Sequence, residues 1–222
     1  NQIEISDVTD FPNVVTVRWP IDIGLPVTVN GVHTMRIDAE RGVMVLNAVD
    51  VTAPTLPAPL TPGCSPAVFF DVKTDPMHPR LLSVYVGPDA GDQTLFDSHF
   101  LEVDGQPIWA ATIQQPQRGN QSYFAFYDGS DPAHMDTAQR LAIYAGPATG
   151  TFHNVVSLPN APDGTPRIAA GFEAFAFQAP DGTLISKAAV LDASDLATGR
   201  APTLIGWLAD DHNHRHSVHN AA

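Results

Sequence analysis

Four histidines recur at similar points along the chain: His33 in GVHTMRID, His99 in DSHFLEVDG, His153 in TFHNVVSLP and His219 in HSVHNAA. Successive members are spaced at similar intervals. Each heads an apolar, alternating stretch rather than a polar loop. Period-two alternation places His33 on one face with Met35 and Ile37, and His99 with Leu101 and Val103. Imidazoles gathered in a partly dry site repel one another once protonated, and a divalent transition metal relieves that repulsion. Iron, copper and zinc all accept imidazole nitrogen. Four nitrogens with an open position suit iron or copper redox chemistry, as in a metal-dependent oxidase or oxygenase. The plainer alternative is that a repeat has copied a histidine whose ring bonds neighbouring main chain.

The segment LADDHNHRHSVHN (Leu208 to Asn220) holds the densest set of further donors: Asp210, Asp211, His212, His214, His216 and His219. The site expected from the sequence is therefore His33, His99, His153 and His219, with His216 in reserve. A solvated terminus with incidental metal affinity accounts for the same residues. Other chemistry is thinly represented. Ser65 and Ser98 lie near histidines, but no Gly-Xaa-Ser-Xaa-Gly elbow is present. Cys64 is the single cysteine, which excludes an intramolecular disulfide and a cysteine-rich zinc site. No phosphate-binding glycine loop occurs.

The elements that would position the histidines are themselves repeated. Four segments carry an apolar run ending in Asp, a short turn with a second Asp, and another apolar run: IEISDVTDFPNVVTVRW, VFFDVKTDPMHPRLLSVY, FAFYDGSDPAHMDTAQRLAIY and AVLDASDLATGRAPTLIGW. The first Asp of each is Asp7, Asp71, Asp128 and Asp192; the second is Asp10, Asp75, Asp131 and Asp195. A carboxylate accepts backbone N–H bonds within its own turn, and Pro presets a turn corner. These aspartates therefore read as turn caps rather than as paired catalytic carboxylates. The interval from first Asp to histidine is nearly constant over the four cycles. A further strand falls between the two landmarks in VMVLNAV, PIWAATI and RIAAGFEAF. The stretch DTAQRLAIY, which could pass for a helix, is assigned a strand by its place in the repeat.

One unit is thus four short strands in about 54 to 66 residues, the sequence signature of an all-β propeller blade. The blades expected are 31–87, 97–146 and 151–208. Residues 1–20 supply the last hairpin of a blade, and 212–222 the first strand of another. Two readings follow: a four-bladed ring whose last blade lacks one strand, or part of a larger ring completed by missing blades or a second chain. An end just after a strand start favours the second. Trp19, Trp109 and Trp207 read as blade packing, with glycan stacking on Trp109 left open.

Composition limits the partners. Of 222 residues 44% are hydrophobic, 16% charged, 20 Pro and 16 Gly, which opposes a helical bundle and a disordered acidic tail alike. The net charge of −13 without a basic stripe makes nucleic acid an unsuitable partner. No apolar run approaches the roughly 18 residues of a membrane span. A start at Asn1 fits a mature or trimmed product.

The pattern resembles the LVIVD-repeat β-propellers of bacterial and archaeal surface proteins. The matching places are IEISDVTDFPNVV, FFDVKTDPMHPRLL, His153-Asn154 and His219-Asn220, with Phe11 and Leu196 departing from the Pro expected in the first and last turns. The resemblance implies a secreted, periplasmic or cell-surface location and no settled activity. In arrangement alone, four inner-strand histidines are similar to the iron site of carotenoid-cleaving dioxygenases, whose motifs are absent here. Two functions stand open. One is a transition-metal propeller. The other is a non-catalytic module presenting loops such as Asp50 to Pro66 to a protein, glycan or small molecule.

Overall fold

In the computed structural model the described residues are 2–58, 60, 64–86, 94–115, 121–145, 152–172 and 187–209. Two strands open the chain, β1 (Gln2–Asp7) and β2 (Val15–Pro20), paired antiparallel. After β3 (Thr28–Gly31) come β4 (Thr34–Asp38) and β5 (Val43–Asn47); β6 (Asp50–Thr52) then returns to pair with β3. Strands β7 (Ala67–Asp71) and β8 (Arg80–Tyr85) complete a first four-stranded sheet of order β4-β5-β7-β8.

The second sheet is built from β9 (Thr94–Val103), β10 (Gln106–Gln115), β11 (Gln121–Asp128) and β12 (Arg140–Tyr144). The third is built from β13 (Phe152–Leu158), β14 (Arg167–Phe172), β15 (Lys187–Asp192) and β16 (Thr203–Ala209). All pairings within these three sheets are antiparallel and follow chain order, with β6 set aside from the first, so the described residues are all-β and form repeated four-stranded meanders. In DTAQRLAIY the strand begins only at Arg140, after a 3-10 turn over Pro132–Thr137.

The sheets stack face to face, which explains why several strands are apolar without alternation. Every residue of β5 is buried. In β7, Phe69 turns to the second sheet and Phe70 to the opposite side, where Trp19 of the β1–β2 hairpin meets it edge-on with ring centroids 4.9 Å apart. Between the first and second sheets Trp109, fully buried, contacts Phe69, Tyr85 and Tyr127 at centroid distances of 5.1, 5.1 and 5.2 Å. Between the second and third, Ile108, Phe124 and Phe126 pack on Phe152, Val155, Ile168 and Leu191. Each such side chain contributes about 1.5–3 kcal/mol on burial.

The turns behave as their residues require. The first Asp accepts the N–H two residues ahead in all four: Thr9 at 2.9 Å, Lys73 at 2.8 Å, Ser130 at 2.9 Å and Ser194 at 2.9 Å. The second turn position is equally regular in the middle turns. His78 Nδ1 lies 2.8 Å from Asp75 and His134 Nδ1 2.7 Å from Asp131, three residues apart each time. Asn13 binds Asp10 in the same place at 3.3 Å. Leu196, standing where the middle turns have Pro, is fully buried in the core between the second and third sheets.

Candidate functional site

Strand pairing fixes which residues are equivalent from sheet to sheet. Asp71, Asp128 and Asp192 pair with Val43, Ile108 and Arg167, which pair in turn with Asp38, Leu101 and Leu158. Counting back residue by residue along the first strand of each sheet, across the irregularities at Phe152/Val155 and Thr112/Ile113, His33 and His153 stand at the position of Phe96. His99 falls three residues later, at the position of Arg36 and Val156. The common register expected for the histidines is therefore not kept. The irregularity at Thr112/Ile113, where Asp97 and Leu95 flank an extra residue in β9, is one place where spacing and register part company.

The structure places His33 just before β4, exposed, its N–H donating to Asn47 O at 3.1 Å. It shares the exposed face of Met35 and Ile37, as alternation requires. His99, by contrast, is largely buried, with Leu101 and Val103 beyond it in the core. The backbone of His153 lies in β13, its side chain outside the described residues. His216 and His219, with Asp210, Asp211, His212 and His214, also lie outside them. Among the described residues no group of three or more His, Cys, Asp or Glu side chains is disposed to hold a metal.

Around His99 strands β4, β5 and β9 instead build a hydrogen-bonded network between sheets. Arg36 Nη2 donates to Asp97 Oδ2 at 2.6 Å, and Arg36 Nε donates to His99 Nε2 at 3.3 Å. Thr34 Oγ1 donates to Asp97 Oδ1 at 2.9 Å, while Asn47 Nδ2 donates to Thr34 Oγ1 at 3.1 Å. Ser98 closes the set, its hydroxyl donating to Asn47 Oδ1 at 2.8 Å and its N–H to Asp97 Oδ1 at 2.8 Å. Asn47, Asp97 and Ser98 have no exposed surface. Burial alone would raise the Asp97 carboxyl, but the His99 ring, the Arg36 charge and the Thr34 hydroxyl outweigh it and hold the group below the usual carboxylate range.

His99 Nε2 faces the Arg36 guanidinium and lies 3.7 Å from Asp97 Oδ2. The network edges a cleft of about 580 Å³ lined by Arg36, Asp38, Arg41, His99, Phe100 and Glu102. Arg41 there is committed to Asp38 at 2.5 Å and to Gly129 O at 2.7 Å, and stacks over Phe100 at 5.0 Å.

Three other candidates are decided by position. Trp109 has no exposed surface, so no glycan stacks on it. Cys64 is 7% exposed, without the access of a reactive thiol. The loop after β6 forms a second concavity of about 500 Å³ lined by Val51 to Leu56 and Leu60. Sequence reasoning missed Arg36, Asp97, Thr34 and Asn47, because their partners lie in another sheet or across the same one. It also missed His78 and His134, although the Asp75 to His78 and Asp131 to His134 spacing, with Pro in the turn, is a visible local signal. No protein-family model matches the chain, and no curated protein is detectably similar to it.

Proposed function

We propose that the chain is a non-catalytic β-propeller module of an extracytoplasmic protein, which binds a protein or glycan partner through its rim loops. The observation that carries this reading is the closure of the inner-strand network. Arg36, Asp97, His99, Thr34, Asn47 and Ser98 hydrogen-bond one another and tie the first sheet to the second. Polar groups engaged in this way position sheets. Recognition is then left to loops such as Asp50 to Pro66, whose concavity next to the β3–β6 pair is lined mainly by apolar and hydroxyl side chains.

Metal analysis of protein purified without a nickel column tests it. The expected result is no stoichiometric transition metal, in the natural chain and in His99→Ala alike. One bound iron, copper or zinc per chain, lost in His99→Ala, overturns the proposal in favour of a metal-dependent propeller with His33, His153, His216 and His219 as its further ligand candidates.

A further inference from the structure

In each four-stranded sheet the last strand carries one residue outside the ladder. Leu82 stands between Leu81 and Ser83, which pair with Phe70 and Phe69; Leu141 and Ile205 stand at the same point of β12 and β16. In the first two sheets that residue is covered by the Asp turn of the sheet that follows. Leu82 packs on the core cluster that holds Met135, and Ser83 Oγ donates to Pro132 O at 2.8 Å. Leu141 packs on the cluster that holds Leu196, and a Cβ on Gly199 of the same turn would stand 3.5 Å from Leu141 O. Ile205, by contrast, is 55% exposed, with Leu204 exposed beside it. The opposite end of the sheet series shows the complementary half. The β1–β2 turn is built like the turn of Leu196. Phe11 follows Asp10 as Leu196 follows Asp195, and the N–H groups of Asn13 and Thr198 donate to the Asp carbonyls at 2.7 and 3.0 Å. Leu196 is fully buried, whereas Phe11 is 78% exposed, with Val8, Val14 and Val15 exposed around it.

We propose that these two ends meet between copies of the chain: the β1–β2 turn of one seats on β16 of a second, head to tail. Phe11 takes beside Ile205 the place that Leu196 takes beside Leu141. The molecule's own junctions argue for this occupant. The contact of an Asp turn with the preceding fourth strand is made twice inside the chain, and each end retains one half of it. The two halves do not cover each other within one chain, because Phe11 and Ile205 are both open to water. A second copy supplies each missing half in the arrangement that the inner junctions already show. Each copy carries a net charge of −13, so this is an apolar contact formed against like-charge repulsion. The inference goes beyond the partner proposed above and uses only the stacking of the sheets, so it stands apart from what the rim loops bind.

Sedimentation velocity of the full chain under reducing conditions tests this. The expected result is reversible assembly with a Kd below about 1 mM, strengthened by salt because screening relieves the repulsion between acidic chains. Phe11→Asp and Ile205→Asp should each weaken assembly at least ~10-fold. Both side chains are exposed, so thermal unfolding of the two variants should match that of the natural chain and establish that each is folded. Mixing the two variants should restore a one-to-one dimer, because each supplies the half that the other lacks. A chain that stays monomeric overturns the proposal, and so does assembly that salt dissolves or that neither variant weakens. A mixture no more associated than its parts overturns it as well, since it would assign the contact to a self-matched patch. None of these outcomes involves the loop Asp50 to Pro66, so failure here leaves the binding reading standing.

Discussion

Arg36 and His99 hold the same register position in consecutive sheets, and they touch: the guanidinium Nε donates to the imidazole Nε2 at 3.3 Å. Equivalent residues of the first strands of neighbouring sheets therefore do meet here, but the pair is a cation and its acceptor. Asp97, fully buried beside them, supplies the opposite charge to Arg36. The site is a junction between sheets, which makes its energetics testable without a ligand.

Removing the buried carboxylate should be expensive. In Asp97→Ala, Arg36 and Thr34 lose their acceptor while remaining mostly shielded from water. Breaking a buried pair from one side typically costs about 3–5 kcal/mol. Because Arg36 keeps some solvent access, we expect about 3 kcal/mol, read as a lower urea midpoint at unchanged slope. Thr34→Val, which removes one neutral donor, should cost about 1 kcal/mol. A loss below ~1 kcal/mol in Asp97→Ala would show that the network does not hold the sheets together.

The same carboxylate sets part of the acid limit. Its folded value lies below the ordinary one of about 3.9, so its contribution is present above that pH and is lost as pH falls through the lower folded value. Stability of the natural chain should decline below about pH 4. In Asp97→Asn that decline should be shallower by as much as one proton's share, about 1.4 kcal/mol per pH unit. Asp38, held low by Arg41 in spite of its partial burial, keeps its part in both proteins. Equal slopes from pH 5 to pH 2 would contradict the assignment.

What could be read from the sequence followed the range of the interactions. The turns at Asp7, Asp71, Asp128 and Asp192 were legible because each bond closes within its own turn. The strands PIWAATI and VFFD were legible because both faces are buried, giving unbroken apolar runs. The histidine ladder was not. Spacing along the sequence counts the chain, whereas register counts ladder pairs, and by those pairs His99 stands level with Arg36, three residues beyond the position of His33. The position that does repeat through the sheets is that of Thr34, Asp97 and Asn154, three different side chains whose equivalence only pairing reveals.

His134 offers a local titration. The Asp131 carboxylate on its Nδ1, first by hydrogen bond and then by charge, raises its pKa above the ordinary 6.5. Its protonated form is thus favoured in the folded state, and the stabilisation is present below the unfolded value and lost as pH rises through the folded one. Ring proton shifts followed by NMR should give a midpoint above 6.5 in the natural chain and close to it in Asp131→Asn. An unchanged midpoint in the variant would show that the pair does not form in solution. Activity plays no part in this measurement, since both side chains are largely exposed.

Gly42 is where the β4–β5 turn meets the Asp71 turn, and only glycine fits. Its φ of +67° lies in the left-handed region, and its carbonyl accepts from Val72 N at 2.8 Å. A Cβ built there would stand 2.2 Å from Lys73 Cβ and 2.8 Å from Lys73 Cα, so the opposing backbone itself must move. Gly105 has a similar φ of +74° with nothing within 4 Å of the added carbon. Backbone strain alone costs roughly 1 kcal/mol, and the displaced turn adds to it. Gly105→Ala should therefore lower stability by about 1 kcal/mol and Gly42→Ala by roughly 2–3 kcal/mol. Equal losses in the two variants would mean that the turns at Gly42 and Asp71 are not in contact as described.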